Sequence, residues 1–440
     1  MNWKKSLEIG LVFVNVLIII GFWMTNSGKI LFSSPSDFFI GIGRLAGLLG
    51  VYFVLMQLIF IGRILWVERL FGLDKLARIH KLNGYFALGL LVSHPILLAT
   101  GYGILNNVNI IRQLVNFVLY FQYVWMGAVA LSLLIGVVFL SIKIVRSKLK
   151  YETWYFVHLL VYLVIILAFW HQLAVGSDFV NNPWFVGYWY LLYAFVIGNF
   201  VIFRFARPVF IYFKHGFVVE NVVKENDNVT SIYIIGRKLN EFPVKPGQFM
   251  IFRFLNKKLW WQAHPFSMSM KPDGKRLRIS VKNVGDYTSM ISSIRKETKV
   301  FVDGPYGTFT ENEGMEKKIV LIAGGIGITP IYSLLESMAG RKDISLLYGC
   351  RTRRDFTFKK EIDSVLHRKL ANVHYFTSEE KADGFENEKI GGESILRLIP
   401  DFKEREFFIC GPVPMMDGLI RTLKDMGIEK NRIHYERFAL

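Results

Sequence analysis

The sequence predicts a multi-domain chain: a six-helix α transmembrane bundle, then an antiparallel β-barrel, then a doubly wound α/β domain. Three observations carry this. Apolar residues make up 52% of the 440 positions but crowd into residues 1–213, in runs such as "LEIGLVFVNVLIIIGFWM". From Gly216 short alternating strands replace them. After residue 317 an apolar strand runs into a glycine loop and a helix, and the pattern repeats. The expected domains are 1–214, 215–312 and 313–440.

A helix needs about 20 mostly apolar residues to cross a bilayer. Six stretches qualify, near 7–24, 38–61, 80–101, 119–142, 152–174 and 184–206. Lys4, Lys5, Arg63, Arg69, Lys75, Arg78, Lys143, Arg146, Lys148, Lys150, Arg204, Arg207 and Lys214 all fall on one side of that topology. The excess of basic residues places both termini in the cytoplasm of a multi-pass cell-membrane protein. No small-residue cleavage site follows the first span, so it is expected to remain as an uncleaved helix. Much of the net charge of +18 sits beside the spans, which explains it without nucleic acid. The only cysteines, Cys350 and Cys410, lie in the second half. Two thiols build neither a disulfide framework nor a cysteine-ligated cluster, and a reducing cytosol is expected around them.

Four of nine histidines fall inside spans: His80 and His94 in the third, His158 and His171 in the fifth. Odd-numbered spans run parallel, so His80 faces the level of His158 and His94 that of His171. At about 1.5 Å per residue the two levels lie roughly 20 Å apart, which suits two stacked haems, each held by two imidazoles. The alternative is four separate histidines bonded to neighbouring helices. A single zinc ion is excluded by the axial distance, since its ligands lie within about 2 Å. Fourteen residues return to within about 40° of the starting face, but thirteen miss by about 140°. The fifth span must therefore be bent, overwound or bulged. Arg44, near the outer end of the second span, either pairs with haem propionates or snorkels to the interface.

The second half carries its own motifs. His264-Pro265-Phe266-Ser267 stands within the strand-rich region. Gly285-Asp286-Tyr287-Thr288-Ser289 opens a short helix, where free N–H groups and the hydroxyls of Thr288 and Ser289 attract phosphate. "KIVLIAGG" then leads into "GGIGITPIYSLLESM", where Gly324, Gly325 and Gly327 let the backbone approach a pyrophosphate. Thr329 is expected to cap the helix, with Pro330 in its first turn. Another strand ends in Cys410-Gly411-Pro412, and strand C-termini are where doubly wound sheets bind ligands.

With "DGPYG" and an aromatic close to the C-terminus, these motifs resemble the membrane NADPH oxidase and ferric reductase superfamily over nearly the whole length; the second half is similar to ferredoxin–NADP reductase modules. The resemblance implies two b haems on the four histidines, FAD and NADPH or NADH. It places His264 to Ser267 along the flavin ring and ribityl chain. Lys282 and Gly285 to Ser289 hold its pyrophosphate, and Gly324 to Pro330 cradle the nicotinamide dinucleotide. Cys410, Gly411 and Pro412 stand beside the nicotinamide, and Phe438 stacks on the isoalloxazine. The chain departs from many relatives in the Ala439-Leu440 extension and in Val164 and Ile165, where some carry an aromatic. It lacks calcium-binding loops.

Arg351, Arg353 and Arg354 suit a 2′-phosphate, whereas Glu379 and Glu380 suit a free ribose diol. The function expected is transmembrane electron transfer from cytosolic NAD(P)H to O2 or a ferric chelate outside. The alternatives are a module feeding a separate extracytoplasmic enzyme, and a transporter with a redox-nucleotide sensing domain.

Overall fold

The computed structural model describes residues 3–142, 151–180, 182–312 and 315–437. Lys143, Arg146, Lys148, Lys150, Phe438, Ala439 and Leu440 lie outside the described residues. The chain forms two compact units, one of Met1–Phe71 with Lys75–Arg204 and one of Gly72–Asp74 with Phe205–Leu440.

In the first unit, helices run α1 Trp3–Thr25, α2 Pro35–Ile61, α3 Leu65–Phe71, α4 Leu73–Asn106, α5 Ile110–Tyr120, α6 Val124–Ser141, α7 Tyr151–His158, α8 Leu160–Val175 and α9 Pro183–Val201. Six helical stretches among the described residues are long and apolar enough to cross a membrane, with α7–α8 making one of them. Starts follow local chemistry. Ser34 accepts from Asp37 N and Asn182 from Phe185 N, each ahead of a first-position proline. The expected fourth span is shorter than its apolar run, because the chain breaks at Phe121–Tyr123 and residues 119–120 close α5 instead. The third is longer: α4 continues through Pro95 to Asn106.

A distortion of the fifth span is present, in the overwound direction the spacing calls for. Helicity lapses at Leu159, directly after His158. Leu159 N is shared between Tyr155 O and Phe156 O, and Tyr162 N bonds three residues back to Leu159 O. These tighter i→i−3 bonds overwind the turn.

The helix of α9 passes through a π turn, Ile202–Ala206, into α10, Arg207–His215. Pro208 follows this turn; lacking an N–H, it cannot continue a regular ladder there.

The second unit opens with β1 Val218–Lys224, β2 Val229–Ile235, β3 Phe249–Phe254, β4 His264–Ser267, β5 Arg276–Lys282, α11 Asp286–Met290 and β6 Val300–Tyr306. These make two three-stranded antiparallel sheets, β1-β2-β5 and β4-β3-β6. Bridges Val218↔Lys299 and Met268↔Ile279 join them into the barrel. Its inward faces bury Ile232, Met250, Phe252, Phe254, Ile279 and Val302 completely.

The α/β part contains β7 Lys318–Gly324, α12 Ile328–Met338, β8 Asp343–Cys350, α13 Lys359–His367, β9 Asn372–Thr377, α14 Gly392–Leu398, β10 Glu406–Cys410, α15 Val413–Asp425 and β11 Ile433–Tyr435. Its sheet is parallel, in the order β11-β10-β7-β8-β9. Both faces are covered: Ile319 and Leu321 of β7 enter one core, Val320 and Ile322 the other. The chain builds outward from β7 to β9, then crosses over to β10. Strand order therefore reverses between β7 and β10, the position where such sheets bind ligands.

Candidate functional site

His94 and His171 are held in the same way. His94 Nδ1 lies 2.7 Å from Gly43 O, and His171 Nδ1 lies 3.1 Å from Tyr123 O. A carbonyl only accepts, so each Nδ1 carries the proton and each Nε2 keeps its lone pair for a metal. Four residues after each carbonyl stands a glycine. A Cβ on Gly47 would lie 2.6 Å from the His94 ring, and one on Gly127 about 3.0 Å from the His171 ring. The missing side chains open the path from imidazole to carbonyl.

His80 and His158 face each other with ring centroids 6.1 Å apart. A metal–imidazole bond is about 2 Å and the ring centre lies about 1 Å further on, so two imidazoles on opposite sides of one metal stand about 6 Å apart. The spacing fits a bis-imidazole iron. His158 Nδ1 also faces Ser141 Oγ at 3.5 Å, while that hydroxyl donates to Val137 O and accepts from Trp154 Nε1. Among the described residues no three His, Cys, Asp or Glu converge as an ion site.

Arg44 donates to Ser27 Oγ and Tyr102 Oη, each at 3.0 Å. Ser27 in turn donates to the buried Asp178 carboxylate at 2.7 Å. Arg44 thus sits in a polar network rather than reaching freely to the interface.

In the second unit a cavity of about 370 Å³ brings together His264, Pro265, Phe266, Ser267, Lys282, Thr288 and Thr329. The resemblance places all of these but Thr329 around a flavin and Thr329 on the nicotinamide dinucleotide, and the cavity suits a cofactor site in size. His264 stacks on Tyr287 with centroids 3.7 Å apart. Burial lowers the His264 pKa, favouring the neutral ring. Ser267 Oγ and Tyr287 Oη are buried with no hydrogen-bond partner among the described residues. Such atoms call for a polar ligand, and a flavin's heteroatom edge supplies one.

The short helix behaves differently from expectation. Thr288 Oγ1 accepts from Val284 N and Gly285 N and donates to Gly285 O, while Ser289 Oγ donates to Asp286 O. Both hydroxyls close their own turn, since Ser and Thr side chains compete readily for nearby backbone groups. Lys282 remains exposed at the cavity to meet phosphate charge.

The three loop glycines divide their work. Gly325 alone has open space around its absent Cβ, with φ +52°, and is the one placed for close approach of a phosphate. A Cβ on Gly327 would meet Cys410 O at 2.2 Å, and one on Gly324 would meet Met415 Sδ at 2.5 Å. These two permit tight packing of strand and helix at the order reversal. The expected Thr329 cap is corrected: the helix starts at Ile328, and Thr329 Oγ1 donates back to Ile326 O within the first turn. Pro330 falls in that first turn as expected.

Cys410 is fully buried and its thiol lies 3.7 Å from Glu436 O; burial pushes its pKa far up. Gly411 packs against Gly324, and Pro412 precedes α15. Arg351 sits 3.5 Å from Glu379, and Arg353 holds Glu380 through its backbone N and Nε at 2.9 and 2.8 Å.

Sequence reasoning missed Glu436 and Arg437, which line the cavity beside Gly307. The "HYERF" tail was read only for its aromatic. Gly72–Asp74 also line the cavity. They belong to the basic loop between the second and third spans, with Arg69, Lys75 and Arg78, for which docking of the flavin domain stands beside plain positive-inside charge as the reading of the sequence.

Family models match in chain order: a ferric reductase-like transmembrane component at residues 46–169, an FAD-binding domain at 212–310 and an oxidoreductase NAD-binding domain at 321–420. The chain has the domain set of the membrane ferric reductase and NADPH oxidase superfamily. It is a multi-pass membrane flavoprotein and an NAD(P)H-dependent oxidoreductase, built to pass electrons across the membrane. Among curated relatives, this oxidoreductase is 28% identical to a flavohemoprotein of Bacillus anthracis over 296 residues, covering 61% of this chain and 72% of the relative. A flavohemoprotein of Vibrio cholerae is 25% identical over 277 residues, covering 59% and 68%. Among solved structures, the FAD/NAD-binding domain of a nitric oxide dioxygenase from Vibrio cholerae aligns with a TM-score of 0.46 at 24% identity, covering 50% of this chain and 97% of that one. A ferredoxin–NADP+ reductase from Neisseria gonorrhoeae aligns with a TM-score of 0.46 at 18% identity, covering 51% and 99%.

Proposed function

We propose that this oxidoreductase carries electrons from cytosolic NAD(P)H, through FAD and two b haems, to a ferric chelate or O2 on the opposite face. The observation that supports it is the paired imidazoles: His80 and His158 at the separation one iron requires, and His94 and His171 with Nδ1 committed to backbone carbonyls. When bound, FAD supplies hydride acceptance with one-electron release, and haem supplies one-electron carriage.

The chain's own residues do the rest. His80 with His158 would hold the inner iron, and His94 with His171 the outer. Gly43 O and Tyr123 O hold the Nδ1 protons of His94 and His171, leaving the Nε2 lone pairs that would bind the iron. Around the flavin, His264 and Tyr287 form a stacked wall, Ser267 Oγ offers a hydrogen bond to the ring edge, and Lys282 offsets pyrophosphate charge. Gly325 admits the nucleotide phosphates at the strand-order reversal. Cys410 stays protonated and gives the nicotinamide side a neutral wall. Arg44, steadied by Ser27 and Tyr102, supplies positive charge for haem propionates. The positive-inside excess of Arg63, Arg69, Lys75 and Arg78 supports a cytoplasmic NAD(P)H module. The described residues gather no metal-ligand cluster, which favours a freely diffusing acceptor over one bound by dedicated ligands.

The test is a reduced-minus-oxidised spectrum of the purified protein, followed by turnover with O2 and then with ferric citrate under argon. A b-type Soret and α band, halved in His94→Leu with NAD(P)H reduction of FAD intact, is the expected result. A colourless protein would overturn the haem assignment. Turnover only on addition of a periplasmic protein fraction would favour a module serving a separate enzyme.

A further inference from the structure

We propose that the loop joining β3 to β4, residues 255–263, is a membrane-interface anchor that seats the FAD-binding barrel on anionic lipid headgroups. The loop reads "LNKKLWWQA". It is a built turn. Asn256 Oδ1 accepts from Lys258 N and Leu259 N at 3.0 and 2.8 Å, and Trp260 N bonds back to Asn256 O. Leu259 is fully buried in the barrel core, so the turn is pinned at its centre. Pinning it turns two adjacent indoles outward, Trp260 at 59% and Trp261 at 44% exposure.

Two neighbouring tryptophans held in water forgo a large burial gain, which marks a contact surface. The charges around them select the contact. Lys257 and Lys258 flank the indoles and form no ion pair among the described residues. Indoles beside unpaired lysines match the headgroup layer, where the ring takes the polar–apolar boundary and the ammonium meets lipid phosphate.

The path of the chain points the same way. Residues 183–215 form one helical run that leads from a membrane-spanning segment straight into the barrel. On α10 at its end, Tyr212 packs on Phe301 with centroids 5.6 Å apart. Phe301 pairs with Arg253, two residues before the loop. The loop is thus covalently tied to a chain that enters the bilayer, which raises the effective concentration of lipid at it. This inference depends on the chain being a membrane protein and on neither haem nor acceptor.

The experiment uses the full-length holoprotein in nanodiscs of phosphatidylcholine, with or without phosphatidylglycerol and with brominated acyl chains. Subtracting the emission of Trp260→Phe/Trp261→Phe from that of the unmodified protein isolates two indoles among the ten. The expected difference signal is quenched by lipid bromine and shielded from aqueous iodide. Its quenching is greater in anionic discs, and that excess is lost in Lys257→Gln/Lys258→Gln. A difference signal open to iodide and untouched by bromine overturns the proposal. So does shielding that follows FAD content, which would place the indoles over the flavin nucleotide, or shielding seen only with two copies per disc. If the double variant fails to fold, a nitroxide on the Lys257→Cys variant reads depth directly, because Cys350 and Cys410 are both buried. Oxygen accessibility typical of bulk water would then overturn it.

Discussion

Single residues decide whether the outer imidazoles can reach their carbonyls. Gly47 and Gly127 have no other evident duty at their positions: a methyl on either would enter the ring of His94 or His171. Gly47→Ala is expected to cost outer-haem occupancy or shift its potential while leaving FAD content unchanged, read by redox titration of the two α-band components. Packing clashes of this size cost about 1–3 kcal/mol, enough to move a marginal site. At the nucleotide end, Arg351 is paired with Glu379 and Arg353 with Glu380, and Asp355 stands beside them closing the Thr352 turn. A 2′-phosphate adds about two negative charges to a locus already balanced. NADH is therefore expected to give the higher kcat/KM, and Glu380→Lys to raise kcat/KM for NADPH roughly tenfold by freeing Arg353 and adding a cation. His264 gives a pH prediction. Burial sets its folded pKa below the ordinary 6.5. Below 6.5 the unfolded chain then binds a proton that the folded one does not. Stability is accordingly unaffected above that value and is lost as pH falls through it. Thermal melts of the flavin unit from pH 7.5 to 5.5 should show this, with a shallower fall in His264→Gln.

At the scale of elements, a buried cation is among the links between the barrel and the α/β part of the second unit, beside bonds such as Ser333 Oγ to Met270 O and Lys271 N to Glu336. Arg278 of β5 donates to both oxygens of Glu361 on α13 at 2.8 and 3.0 Å, and twice to Ser269 O. Burial alone would favour its neutral form, but the Glu361 carboxylate overrides this and its pKa is raised. Phe358, just before α13, adopts φ +61° and lies 4.3 Å from the guanidinium carbon. A bulky residue enters that backbone region only when something holds it there, and the cation–π contact is the evident cause. Arg278→Met leaves a half-exposed carboxylate and unmet backbone acceptors, for a cost of roughly 2–4 kcal/mol. Urea unfolding followed by FAD fluorescence and by an α/β-domain probe should then show two transitions where the parent shows one.

The same scale shows how much could be read beforehand. Span number, the change to strands at Gly216 and the β7 loop were legible because each rests on periodicity or on glycine chemistry within a few residues. The distortion after His158 was legible as a geometric necessity, though its location at Leu159 was not. Thr288 lines the cavity, but residue types alone did not show that its hydroxyl and that of Ser289 also bond within their own turn. Glu436 and the Gly43/Gly47 pairing escaped because each depends on a partner far along the chain.

Over the whole molecule, the thiols report on integrity. Burial pushes Cys350 up to about 12 and Cys410 further, so neither forms thiolate at neutral pH. Both lie at the C-terminal ends of central strands, β8 and β10. Maleimide labelling in native buffer should be slow, and its rate should follow cooperative unfolding of the α/β part as urea is added. Fast labelling of either thiol in the native state would contradict the sheet order described.

The lapse of helicity at Leu159 has an evolutionary corollary. A fourteen-residue interval falls within about 40° of one face without irregularity, whereas a thirteen-residue one falls about 140° short, of which a single tightened turn recovers about 60°. Inserting one alanine beside Leu159 should therefore straighten this segment while keeping both imidazoles on the same side. Deleting a residue there has no comparable remedy. The ligand spacing in this segment is tolerant of lengthening and intolerant of shortening.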